Sequence, residues 1–168
     1  MKKILLDTDI GSDIDDAICL AYLLKEPQCE LLGITTVCGE SEKIRAYPHE
    51  VTLIAIGNLT NIALLLTEYP DTVQLLRGLF IMNGYFGEKA LSHPLENWNS
   101  WADPLAAVSV FYDDLCRFER GWVQVETECP ARLGATDFQA DVNGNVEIAR
   151  SVNKDRFYQR LAGTLGLD

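Results

Sequence analysis

Lys3-Ile4-Leu5-Leu6-Asp7-Thr8-Asp9-Ile10-Gly11-Ser12-Asp13-Ile14-Asp15-Asp16-Ala17 decides how this chain folds. Ile4-Leu5-Leu6 is a short unbroken apolar run, the pattern of a strand buried on both faces. Five carboxylates follow within ten residues, at Asp7, Asp9, Asp13, Asp15 and Asp16. Then Ala17, Leu20, Ala21 and Leu24 recur at i, i+3, i+4 and i+7, one face of a helix that stops before Pro27. The acidic turn therefore joins the C-terminal end of a buried strand to a helix start, the edge at which open α/β sheets bind ligands.

The alternation continues on both sides of Gly57. Leu31–Val37 and Val51–Ile56 read as the second and third strands, and Asn58 is the expected N-cap of a helix carrying Ile62, Leu65 and Leu66. Leu79–Met82 is a fourth strand, and Asp103-Pro104 opens a helix through Ala106, Ala107 and Val110. The pattern implies a three-layer α/β fold around a mainly parallel sheet, in a single domain over residues 1–168. Towards the C-terminus Trp122-Val123-Gln124-Val125-Glu126 alternates like a half-exposed strand. Val146–Ala149 is expected to pair with it across a polar turn near Asn143-Gly144, and a last helix from Lys154 carries Phe157, Leu161 and Leu165.

Composition narrows the partners. Of 168 residues, 48% are hydrophobic and 23% charged, enough for a packed core. Fourteen Lys and Arg stand against 25 Asp and Glu, a net charge of −11, which argues against nucleic acid and membrane surfaces. The five cysteines (Cys19, Cys29, Cys38, Cys116 and Cys129) are odd in number and form no C-x-x-C pair, which argues against a disulfide framework or a zinc ribbon. Asp7 and Asp9 cut the N-terminal apolar run short of a signal peptide, and no later run reaches the roughly 20 residues a bilayer needs. The expectation is a cytoplasmic protein with reduced thiols.

The acidic turn needs compensation. Two unit charges about 4 Å apart repel by roughly 4 kcal/mol at an effective dielectric near 20, whereas a helix N-terminus returns only about 0.3–1 kcal/mol. Oxygen-only ligation favours a hard cation, Ca²⁺ or Mg²⁺, over zinc, and the spacing is not that of an EF-hand. On the residues alone, a solvated turn whose aspartates cap the helix stays open beside the metal site.

The stretch from Lys3 to Ala17 resembles the signature of the inosine–uridine-type nucleoside hydrolases. Further resemblances follow in order. Gly33-Ile34-Thr35-Thr36-Val37 resembles the family's second strand, and Ile56-Gly57-Asn58-Leu59-Thr60-Asn61 its Gly-Pro-Leu-Thr-Asn turn, with Asn58 in place of Pro. Ile81-Met82-Asn83-Gly84 resembles the Met-Gly-Gly element, and Asn97-Trp98-Asn99-Ser100-Trp101-Ala102-Asp103-Pro104 the Glu-aromatic-Asn…Asp-Pro segment. The resemblance implies a Rossmann-like fold and a Ca²⁺-dependent hydrolase of the N-glycosidic bond of ribonucleosides. Asp9, Asp16 and the main-chain carbonyl of Ile56 would ligate the ion. Asp15 would accept a proton from water, and Asn99 would hold ribose hydroxyls. Glu40 matches a position that faces the site, and Trp98 is a candidate for stacking on a nucleobase.

Several positions depart from the family. Two additional residues stand between Asp9 and Asp15-Asp16, so Asp13 is an alternative base. The ribose-binding glutamate is replaced by Asn97. The family's C-terminal metal aspartate follows a histidine. Here Tyr112-Asp113-Asp114 is the local candidate, which puts Asp113 in the expected ligand set without that histidine. Two stretches of the family pattern are absent, between Tyr47 and Pro48 and after Phe111. Their loss implies an open site with weak turnover, and unpaired strand edges that favour a homo-oligomer. His49 and His93 read as surface residues, and Trp101 as core. Two rivals remain at this level: a metal- or riboside-binding relative without turnover, and a haloacid-dehalogenase-like phosphatase, which also places Asp-x-Asp after its first strand.

Overall fold

A computed structural model describes residues 1–11, 14–36, 40–82 and 101–167, with the backbone alone at Glu40. Strands β1 (Lys2–Asp7), β2 (Cys29–Thr35), β3 (Val51–Ala55) and β4 (Gly78–Ile81) form a parallel sheet in the order β2-β1-β3-β4. Helices α1 (Ile14–Lys25), α2 (Glu40–Ala46), α3 (Thr60–Glu68) and the short α4 (Pro70–Val73) connect them. The expected α/β architecture with a mainly parallel central sheet is the one observed.

Side-chain alternation along the central strands divides the core. Ile4 and Leu6 of β1, with Ile54 and Ile56 at β3, pack with Cys19, Tyr22 and Leu23 of α1. The same cluster takes in Ala107, Val108 and Phe111 of α5 (Ala102–Phe111) and Phe157 and Leu161 of α6 (Lys154–Leu165). Leu5, Val51, Leu53 and Ala55 point the other way, onto Ile44 of α2 and Ile62 and Leu65 of α3. A strand covered on both faces must be apolar at every position, which is why Ile4-Leu5-Leu6 shows no polar alternation. Asn58 does not cap α3: Leu59 holds the N-cap position and makes no side-chain cap bond.

The C-terminal strands form a second, antiparallel sheet in the order β6-β5-β7. Strand β5 (Cys116–Val125) starts well before Trp122. Its C-terminal half pairs with β6 (Thr136–Ala140), from Val125↔Thr136 to Gly121↔Ala140. Its N-terminal half pairs with β7 (Val146–Val152), from Gly121↔Val146 to Cys116↔Val152. The turn at Asn143-Gly144 therefore joins β6 to β7 across β5, rather than β5 to β7 as expected. Two glycines permit the crossing: a Cβ on Gly144 would fall 2.1 Å from the Gly121 carbonyl oxygen, and one on Gly121 2.2 Å from the Gln139 oxygen. Among the described residues no helix is long and apolar enough to cross a membrane.

Candidate metal centre

The ends of three strands are tied together at Asp7. Its backbone carbonyl accepts the Ile56 N–H at 2.9 Å. Its buried carboxylate accepts from Asn61 Nδ2 at 2.8 Å and Thr35 Oγ1 at 3.1 Å, which brings in the first turn of α3 and the end of β2. Thr8 N–H donates to the Thr35 carbonyl at 3.0 Å. The turn after β3 presses against this joint, since a Cβ on Gly57 would lie 2.8 Å from the Asp9 nitrogen and 3.0 Å from the Thr8 carbonyl carbon.

Beyond the joint, the buried Thr8 hydroxyl donates to Asp16 Oδ1 and accepts the Ile10 N–H at 3.2 Å. Asp15 and Asp16 occupy the first turn of α1, and Asp103 the first turn of α5. All three are buried, and carboxylate oxygens from the three lie within 4.8 Å of one another. At that separation each ionised pair repels by about 3.5 kcal/mol at an effective dielectric near 20. The two helix N-termini offset roughly 0.3–1 kcal/mol each. The neighbouring Cys19 thiol senses the field: burial first, then Asp103, Asp16 and Asp15, push it well above the ordinary thiol range. Among the described residues the cluster offers three buried carboxylate oxygens, a donor set that fits a hard divalent cation.

Beside the cluster a polar cleft of about 210 Å³ opens between the C-terminal ends of β1 and β3. It is lined by Asp7, Thr8, Asp9, Thr36, Gly57, Asn58, Thr60 and Asn61. The strand order reverses direction between β1 and β3, the switch point at which doubly wound sheets place their ligands.

Comparison with known proteins gives the same direction. The family described as inosine-uridine preferring nucleoside hydrolase matches residues 40–117. The non-specific ribonucleoside hydrolase RihC of Klebsiella pneumoniae (strain 342) is 49% identical over 65 residues, 39% of this chain and 21% of that protein. RihC of Escherichia coli O1:K1 is 42% identical over 90 residues, 54% of this chain and 29% of that protein. Over these matched segments the chain is similar to the inosine-uridine preferring nucleoside hydrolases. The matches span less than a third of the length of those curated nucleoside hydrolases. The plant nucleoside hydrolase PpNRh1 superposes with a TM-score of 0.78 at 15% identity, over 99% of each chain. The inosine-uridine preferring nucleoside hydrolase of Bacillus anthracis gives 0.80 at 16% identity, over 98% of this chain and 99% of the other. At those identities the likeness is one of fold.

Within this nucleoside-hydrolase fold, the residues singled out from the sequence fall in different places. Asp15 and Asp16 meet in the buried cluster, Asp9 stands exposed on the lip of the cleft, and Ile56 is buried just after β3. Asp113 is exposed beyond the C-terminal end of α5, while Asp103 sits at the other end of that helix, roughly 15 Å away at 1.5 Å per residue. The structure brings Asp103, not Asp113, to Asp15 and Asp16. Its signal in the sequence was a lone charge in the mostly apolar stretch from Trp101 to Val110. A helix-opening aspartate before proline masks that signal. Asp13, Asn97, Trp98, Asn99 and the Glu40 side chain lie outside the described residues. Trp101 packs edge-on against Phe157 and Tyr158, with centroids 6.3 and 5.5 Å apart, and joins the core. His49 is exposed at the N-terminal side of β3, opposite the cleft.

Proposed function

We propose that this chain hydrolyses the N-glycosidic bond of ribonucleosides with the help of Ca²⁺. The observation that carries the reading is the buried Asp15–Asp16–Asp103 cluster beside the switch-point cleft of a nucleoside-hydrolase fold. Asp16, Asp103, Asp9 and the Ile56 carbonyl are assigned to the cation, with Asp103 taking the place expected for Asp113. When bound, the ion neutralises these carboxylates and makes a nearby water more acidic. Asp15, or Asp13 in its place, takes the proton of that water. The water oxygen then forms a bond to C1′ as the C1′–N bond breaks, and the bonding electron pair leaves with the nucleobase. Asn99, Asn97 and Glu40 are assigned to ribose hydroxyls and Trp98 to the base.

Ribose release from inosine and uridine, measured with Ca²⁺, after chelation and after Ca²⁺ is restored, tests the reading. Turnover that vanishes with the ion and returns with it supports it. Phosphatase activity on p-nitrophenyl phosphate, with no release of ribose, overturns it. A second reading is binding of ribosides without turnover: among the described residues the cleft lining includes no His, Tyr, Lys or Cys to protonate a leaving base. Inosine binding by calorimetry without ribose release selects that alternative. We further infer a cytoplasmic homo-oligomer. The described cysteines are free, and β2 and β4 stand at the edges of the parallel sheet. Light scattering measures the mass, and fractionation of the source cells the compartment.

A further inference from the structure

Thr8 sits where the strand end, the metal cluster and the cleft meet. The residue is 2% exposed. A threonine hydroxyl has one proton to give and lone pairs to receive. The Ile10 N–H can only donate, and it points at Thr8 Oγ1 from 3.2 Å. The hydroxyl proton is thereby left for the other partner, Asp16 Oδ1. The arrangement is directional: backbone amide to hydroxyl, hydroxyl to carboxylate. It fixes the rotation of the Asp16 carboxylate before any ion arrives. The Thr8 backbone is itself held, through its N–H to the Thr35 carbonyl at 3.0 Å and by the close approach of the Gly57 turn to its carbonyl carbon.

We propose that Thr8 is a positioning residue for the cation site, orienting Asp16 through its hydroxyl while β2 and the Gly57 turn hold its backbone. The proposal rests on the reading of Asp16 as a cation ligand. Partners that orient a ligating carboxylate typically change metal affinity by about 10–100-fold when removed. Valine keeps the shape of threonine and removes the donor; serine keeps the donor and removes the methyl group.

The test is Ca²⁺ calorimetry on chelator-stripped wild type, Thr8→Val and Thr8→Ser, with circular dichroism of each metal-free protein. The expected result is a Kd raised about 10–100-fold in Thr8→Val and held within about threefold of wild type in Thr8→Ser, with unchanged spectra. Equal affinity in Thr8→Val and wild type overturns the proposal and leaves the metal reading standing. Equal weakening in both variants also overturns it, because the hydroxyl would then not be what matters. Wild type that takes up neither Ca²⁺ nor Mg²⁺ overturns the metal reading, and the proposal with it.

Discussion

Asp16 and Asp103 open two different helices, α1 and α5, yet their carboxylate oxygens come within 4.8 Å of each other. Both helices pack on the same face of the parallel sheet, with Cys19 and Ala107 in one core cluster. The first turn of α1 thus supplies one part of the carboxylate cluster, and α5 the other.

That division separates two aspartates cleanly. Asp103→Asn is expected to raise the Kd for Ca²⁺ at least tenfold by calorimetry, because a buried ligand loses its charge. Asp113→Asn, exposed past the end of α5, is expected to bind like wild type. The reverse order would return Asp113 to the ligand set.

On the proposed metal reading, removing the ion is expected to lower stability through linkage. At a Ca²⁺ concentration about 100 times Kd, binding adds roughly 2.7 kcal/mol to the folded state. For a chain of this size that corresponds to a Tm about 5–11 °C higher than in chelator. The same comparison with Asp16→Asn should collapse to within about 2 °C. A variant that keeps the full difference places the ion elsewhere.

Asp15→Asn is expected to lower kcat for ribose release by about 10²–10⁴-fold, the usual worth of general-base catalysis. Ca²⁺ affinity should fall by less than tenfold. A large loss of affinity with it would make Asp15 a ligand and pass the proton to Asp13.

The joint at Asp7 answers to a simpler substitution. Asn61→Ala removes the 2.8 Å donor to a carboxylate that is 1% exposed, and is expected to cost about 1–3 kcal/mol in urea denaturation. An unchanged midpoint would mean that other donors to Asp7 suffice.

The thiols differ in reach. Burial pushes Cys29 up to about 11 and raises Cys116 too, while Cys129 is exposed. Iodoacetamide at pH 8, read by peptide mass spectrometry, should modify Cys129 far faster than Cys19, Cys29 or Cys116. A thiol whose folded pKa is raised favours folding below its unfolded value, and that contribution is lost as pH rises through the folded value. Stability should therefore fall between about pH 9 and 11, and Cys29→Ala should flatten that slope. A slope unchanged by the substitution would assign the alkaline loss to other groups.

The sequence carried the parallel sheet because its signals are local. Ile4-Leu5-Leu6 declares a doubly covered strand, and Ala17, Leu20, Ala21 and Leu24 declare a helix, without reference to anything distant. Asp15 and Asp16 were legible for the same reason. Asp103 was not, since its meaning depends on α5 lying against α1, which no spacing along the chain records. Helix α2, Glu-Ser-Glu-Lys-Ile-Arg-Ala, is seven mostly polar residues, and among its described side chains only Ile44 is fully buried, too little for a period. Strand β6 was lost because its pairing exists only through the crossing at Gly121 and Gly144.

An ion gripped by both Asp16 and Asp103 would also be a cross-link. Between the two lie β2, α2, β3, α3, α4 and β4, so the grip closes a loop of roughly 90 residues. For a covalent staple, loop entropy at that length corresponds to about 4–5 kcal/mol removed from the unfolded chain. A cation that releases on unfolding transfers none of that entropy, so its grip disappears with the fold it held. Amide exchange in the first turns of α1 and α5, where Asp16 and Asp103 stand, would then be where the ion's arrival is felt most.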